Sequence, residues 1–71
     1  LEFDYIFLDP PYAKQQLEDL LEMVDSSHLL KKNGIIVCEH SFDVMLPNTV
    51  GDLKCSKKET YGIISISIYT Y

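Results

Sequence analysis

The residues with the most chemical content stand near the start of the chain, as Asp9-Pro10-Pro11-Tyr12. Such a run can be a rigid strand-ending turn and nothing more, or it can serve an acceptor such as an exocyclic amino group on a nucleobase. The lone pair of such an amine is delocalised into the ring, so it attacks poorly. A site that alkylates it must accept hydrogen bonds from the NH2 group and hold the nitrogen in line with the electrophile. Asp9 supplies a carboxylate acceptor and a candidate general base. The backbone carbonyl of Pro10 supplies a second acceptor. Proline fixes φ at about −65°, so that carbonyl is aimed before substrate arrives. As positive charge develops on the nitrogen, both acceptors stabilise it. Tyr12 can stack on the base, a contact worth about 1–3 kcal/mol, once the base has been unstacked or flipped. Lys14 follows closely and could meet a phosphate, or it is simply an exposed lysine at a helix start.

Such a motif needs a rigid element to carry it. Phe3 to Leu8 reads FDYIFL, a short apolar run that suits a central parallel strand buried on both faces. The two prolines end it, because proline cannot donate to a sheet ladder. The stretch from Gln15 to His28 is predicted to be a helix. Its Leu17, Leu20, Leu21, Val24 and His28 fall on one face. Glu18, Asp19, Glu22 and Asp25 line the other, and acids near the helix start suit its dipole. Lys31-Lys32-Asn33-Gly34 reads as a turn, and Ile35 to Glu39 as a second buried strand. Strand, helix, strand with a short return is a βαβ unit, which implies a parallel sheet and a right-handed crossover. In open sheets of this kind, ligands bind at the carboxyl ends of the strands, where Asp9 stands.

Ser41 to Gly51 reads as a connection, with one helical turn at Phe42 to Leu46. Leu53 to Tyr61 and Ile63 to Tyr71 alternate as antiparallel strands with one wetter face, joined at Tyr61-Gly62. In the first, Leu53 and Cys55 alternate with Lys54 and Ser56. In the second, Ile64, Ile66 and Ile68 alternate with Ser65 and Ser67. The fold class is therefore α/β, β-α-β followed by an antiparallel hairpin. With only two parallel strands, the sheet is expected to be incomplete. A chain of 71 residues allows one small domain. It begins at Leu1 and enters a strand almost at once, so a fragment of a larger domain is expected. Its exposed sheet edges would favour self-association.

The formal net charge is −5, with six lysines and no arginine. That argues against an autonomous nucleic-acid binder, since phosphate contacts need cations. Cys38 and Cys55 show no framework spacing and point to reduced, cytoplasmic thiols. No apolar run approaches the roughly 20 residues that span a bilayer. His28, Cys38, His40 and Cys55 match no standard zinc spacing, so no metal is expected. Cys38 reads as a small core residue, and Lys54, Lys57 and Lys58 as protection for an edge strand. Glu39 and His40 end the second strand near the rim of the site, and neither receives a role from the sequence.

Asp-Pro-Pro-Tyr matches motif IV of class I amino methyltransferases, Asp/Asn-Pro-Pro-Tyr/Phe. The longer run FDYIFLDPPYAKQQ, then IIVCEH, then LP and KKETYGIISISIY, resembles the RsmD family. Those are bacterial methyltransferases of guanine N2 in small-subunit ribosomal RNA. The resemblance covers nearly the whole chain. It implies the C-terminal half of a Rossmann-like class I methyltransferase sheet, with Phe3 to Leu8 as fourth strand and Ile35 to Glu39 as fifth. Leu53 to Tyr61 and Ile63 to Tyr69 would be the last two strands, the final one antiparallel to the rest. It implies catalytic roles for Asp9, Pro10, Pro11 and Tyr12, contact of Asp9 and Pro10 with S-adenosylmethionine, and RNA contact for Tyr12 and Lys14. The implied partner is ribosomal RNA in the small subunit or its assembly intermediate. Gly34, Gly51 and Gly62 form no G-x-G, so the cofactor loop is absent and these residues alone are expected to be inactive. Amino groups of adenine or cytosine in DNA remain an alternative acceptor, and a non-catalytic half-domain that pairs with another chain remains another.

Overall fold

The structure, a computed structural model, describes residues 1–9 and 13–71. Five strands and one helix follow in the order β1 (Phe3–Leu8), α1 (Lys14–Ser26), β2 (Leu30–Ser41), β3 (Thr49–Val50), β4 (Leu53–Tyr61) and β5 (Ile64–Thr70). They form one sheet of spatial order β1-β2-β5-β4-β3. β1 and β2 are parallel, as the βαβ reading requires. β5 lies between β2 and β4 and is antiparallel to both. Its turn takes two residues, Gly62 and Ile63. Gly62 has φ of 61°, a conformation a residue without Cβ adopts freely, as hairpin turns of this length demand.

α1 buries Leu17, Leu21 and Val24 against the sheet, each worth about 1.5–3 kcal/mol if fully removed from water. It starts at Lys14, where the Ala13 N–H donates to Gln16 Oε1 at 2.9 Å. Its first turn holds no acid, so the expected help from the dipole does not arise. It also stops earlier than the apolar spacing predicts. His28 takes φ of 52°, its N–H donates to Asp25 O at 3.2 Å, and Leu29 N–H donates to Val24 O at 3.1 Å. These two bonds close the helix as a Schellman motif. His28 is therefore exposed beyond the helix end and not on its apolar face.

β2 is longer than Ile35 to Glu39 because the Lys31–Gly34 turn is absorbed into it as an irregularity. The parallel register passes from Phe3↔Leu30 straight to Tyr5↔Ile35. The strands approach closely here. A Cβ on Gly34 would lie 2.8 Å from the Asp4 carbonyl oxygen and 2.7 Å from Leu30 Cδ1, so only glycine fits without displacement. The helical turn expected at Phe42 to Leu46 is replaced by a tighter turn, closed by Val44 N–H to Ser41 O at 3.0 Å, and by the short β3.

The two faces of the sheet differ. On the α1 side, Leu21, Val24, Leu30, Ile36, Cys38, Val50, Leu53 and Tyr69 form one buried cluster. The other face carries Ile64, Ile66 and Ile68, only partly buried, while Ser65 and Ser67 are buried on the helix side. The wetter face of β5 is thus its isoleucine face, the reverse of what the residue types alone imply. The reason is local. The buried hydroxyls have partners, Ser65 with Thr60 at 2.9 Å and Ser67 with His40 at 2.8 Å, so their burial carries little cost. β1 likewise departs from the central, doubly buried strand expected. It stands at an edge of the sheet, and Phe3, Tyr5 and Phe7 remain 43%, 55% and 47% exposed. An apolar groove runs along this edge between β1 and α1, lined by Phe3, Ile6, Leu8, Leu20 and Met23. No helix is long and apolar enough to cross a membrane among the described residues.

Candidate active site

The parallel pairing puts the carboxyl ends of β1 and β2 side by side. The last register pair is Leu8↔Cys38. Asp9 follows Leu8 directly and is exposed. Its neighbours Pro10, Pro11 and Tyr12 lie outside the described residues. Lys14 opens α1, just past the motif, so the strand end and the helix start flank it. The Lys14 ammonium pairs with Glu18 Oε2 at 3.3 Å, its side chain 54% exposed. Such a surface pair is worth about 0.3–0.5 kcal/mol.

The end of β2 brings in Glu39 and His40. Alternation along β2 turns Ile35, Val37 and Glu39 to the face away from α1, and Ile36, Cys38 and His40 toward it. His40 is 1% exposed. Its Nδ1 lies 3.0 Å from the Ser41 carbonyl oxygen, which can only accept, so Nδ1 carries the proton. Nε2 is then the acceptor for the Ser67 hydroxyl at 2.8 Å. One neutral tautomer satisfies both ring nitrogens. Thr60 and Ser65 pair beside them, and Phe42 N–H donates to Ile63 O at 3.0 Å. Polar pairs thus tie the carboxyl end of β2 to β5, and β5 to β4, around the rim that carries Asp9.

Cys38 has no nucleophilic character. Burial, and then the neighbouring Cys55, push its thiol up to about 12, so the thiolate that attacks is scarce at neutral pH. Tyr69 is buried too, its hydroxyl donating to the Pro47 carbonyl, and burial raises its pKa. Among the histidines and cysteines, Cys38 and His40 share the inward face of β2, whereas His28 stands exposed beyond the helix end.

Comparison with known proteins settles the lineage of this arrangement. Residues 1–70 match the family described as conserved hypothetical protein 95, which is the RsmD family. The chain belongs to the RsmD family. A curated relative, "Putative rRNA methyltransferase YlbH" of Bacillus subtilis (strain 168), is 51% identical over 67 residues, 94% of this chain and 36% of its own length. A solved structure from Streptococcus pyogenes, described as a conserved hypothetical protein, superposes with a TM-score of 0.87 at 37% identity, over 96% of this chain and 42% of that one. The "putative methylase HI0767" of Haemophilus influenzae follows with a TM-score of 0.79 at 33% identity, over 94% of this chain and 41% of that one. The chain therefore spans about two fifths of the length of the RsmD-family relatives it matches. Its helix and five strands have the α/β fold of these methylase-like neighbours. Of the site residues read from the sequence, the structure places Asp9 just past the end of β1 and Lys14 at the start of α1. Glu39, which the sequence places near the rim without a role, stands one step past the last register pair, Leu8↔Cys38. The pairing register is the signal that singles it out.

Proposed function

We propose that this chain is the C-terminal, motif-bearing part of an S-adenosylmethionine-dependent methyltransferase that modifies the exocyclic N2 amine of a guanine in small-subunit ribosomal RNA. The observation that carries the proposal is the position of Asp9 at the carboxyl end of β1, parallel to β2, in a chain of the RsmD family. The names of YlbH and of the Haemophilus protein support methyl transfer, and that of YlbH supports an rRNA acceptor.

The residues present fit the methyl-accepting side of such a site. Asp9 offers an exposed carboxylate, complementary both to a cationic sulfonium and to the N–H groups of an amine. No G-x-G occurs among Gly34, Gly51 and Gly62, so the adenosine part of the donor would be held by residues outside these 71. When bound, S-adenosylmethionine supplies an electrophilic methyl group. Asp9 accepts a hydrogen bond from the amine, orients its nitrogen and stabilises the charge that develops there. It then takes the proton directly or hands it to water. The Pro10 carbonyl is the second acceptor, Pro11 stiffens the loop, and Tyr12 stacks on the base. Lys14 exchanges Glu18 for an RNA phosphate. The acceptor would be the small ribosomal subunit or its assembly intermediate, in the cytoplasm. Methylation of DNA amino groups and a purely structural half-domain are the competing outcomes of one test.

That test is transfer of labelled methyl groups by the full-length protein containing these residues. The acceptor is small ribosomal subunits from cells that lack the modification. Label is expected in guanine N2, and Asp9→Ala is expected to lower the rate about a hundredfold or more, the scale of general acid–base assistance. Donor binding without label in ribosomal RNA would refute the RNA reading and move the search to DNA.

A further inference from the structure

We infer that Glu39 is a specificity-determining residue, which reads the N1–H of guanine beside the amine that Asp9 holds; this rests on the function proposed above. The last aligned pair of the parallel strands is Leu8↔Cys38. One step on, Asp9 follows the end of β1 and Glu39 stands near the end of the adjacent β2, and strands in a sheet lie about 4.8 Å apart. Glu39 is part-buried and projects from the face that α1 leaves uncovered, level with Ile66 across β5. Among the described residues it makes no ion pair and no side-chain hydrogen bond. Its neighbour His40, by contrast, is tied to Ser67 and to the Ser41 carbonyl. Glu39 is neither fully buried nor paired, so its acceptor oxygens are open to a donor from outside.

The chemistry of the bases then decides which donor fits. Beside its 2-amino group, guanine presents a second donor, N1–H. Beside their amino groups, adenine and cytosine present a ring nitrogen lone pair, N1 or N3. An ionised carboxylate is acceptor-only. Placed next to the acceptor that grips the amine, it attracts guanine and repels the other two. The same step of register thus converts a general amine site into a guanine site. It also separates the ribosomal guanine reading from adenine or cytosine methylation, which the motif alone leaves open.

The experiment uses the full-length protein and RNA in which the guanine it methylates is replaced by 2-aminopurine. That base keeps the amine but carries a lone pair at N1. The wild type is expected to favour guanine over 2-aminopurine by at least about tenfold in kcat/KM, the scale of a hydrogen bond to a charged group. Glu39→Gln can donate as well as accept, so it is expected to lower the guanine rate and bring the ratio to within about threefold, with donor affinity unchanged. Equal losses on both bases, or wild-type behaviour, in Glu39→Gln would overturn the assignment of Glu39 while leaving the methyltransferase reading intact. A wild-type protein that transfers nothing to guanine would overturn both.

Discussion

The His40–Ser67 pair offers the sharpest test of how the rim of the site is held. Both side chains are 1% exposed, and the hydroxyl lies 2.8 Å from Nε2. Ser67→Ala removes the donor and leaves a buried acceptor nitrogen without a partner. The cost of such an orphan is about 1–3 kcal/mol, whereas removing both partners together is close to neutral. Ser67→Ala should therefore lower the unfolding free energy of the full-length protein by that amount, and its urea midpoint accordingly, with the slope unchanged. His40→Leu should do the same, since it strands the Ser67 hydroxyl. The double variant should recover part of the loss, with a coupling of about 1–2 kcal/mol. The readout is a double-mutant cycle on urea unfolding. If the two losses add to within about 0.5 kcal/mol, the pair is not a unit.

Two further outcomes follow from the packing. Gly34→Ala should cost about 1–3 kcal/mol by overpacking, because its Cβ would meet the Asp4 carbonyl oxygen at 2.8 Å; an unchanged urea midpoint would contradict the close approach of β1 and β2. Alkylation of native protein at pH 8 should modify Cys55 before Cys38, read by peptide mass, because burial and then Cys55 hold the Cys38 thiol up to about 12. The raised value favours the protonated fold, so this contribution to stability is whole below the ordinary 9.0 and is lost as pH climbs toward 12.

The parts of the fold that were legible in the sequence are those fixed by pattern. The apolar run of β1, the 3.6-residue spacing of Leu17, Leu21 and Val24 and the bounds of β4 at Leu53 and Tyr61 all stand as read. What was not legible depends on partners far along the chain. His28 continues the apolar spacing, but the Schellman bonds to Val24 and Asp25 end the helix first. Ser65 and Ser67 look like a solvent face until Thr60 and His40 are seen opposite them. The exposure of Phe3, Tyr5 and Phe7 follows from what lies beside β1, which no residue within β1 encodes. For the site, the motif named Asp9, but Glu39 is drawn toward it only by the register of two strands whose last paired residues, Leu8 and Cys38, are 30 residues apart in sequence.

The distribution of core types along the sheet has a functional logic. Around Leu21, Val24, Ile36 and Leu53 the packing is apolar, and hydrophobic contact is strong but non-directional. Toward the carboxyl end of β2 it gives way to His40, Ser65 and Ser67, held by hydrogen bonds with defined angles. Under the proposed function, an apolar replacement there would keep the strands together yet let their ends slide by the fraction of an ångström that misaligns a reacting nitrogen, an error to which in-line transfer is steeply sensitive. Buried polar pairs at the rim oppose that sliding, because any shift strands a donor or an acceptor at the cost of an unmade bond. The end of β2 that presents Glu39 is therefore fixed by the face opposite the one that presents it. Substitutions on the helix side, remote from any substrate, should reach the chemistry through the position of that strand end.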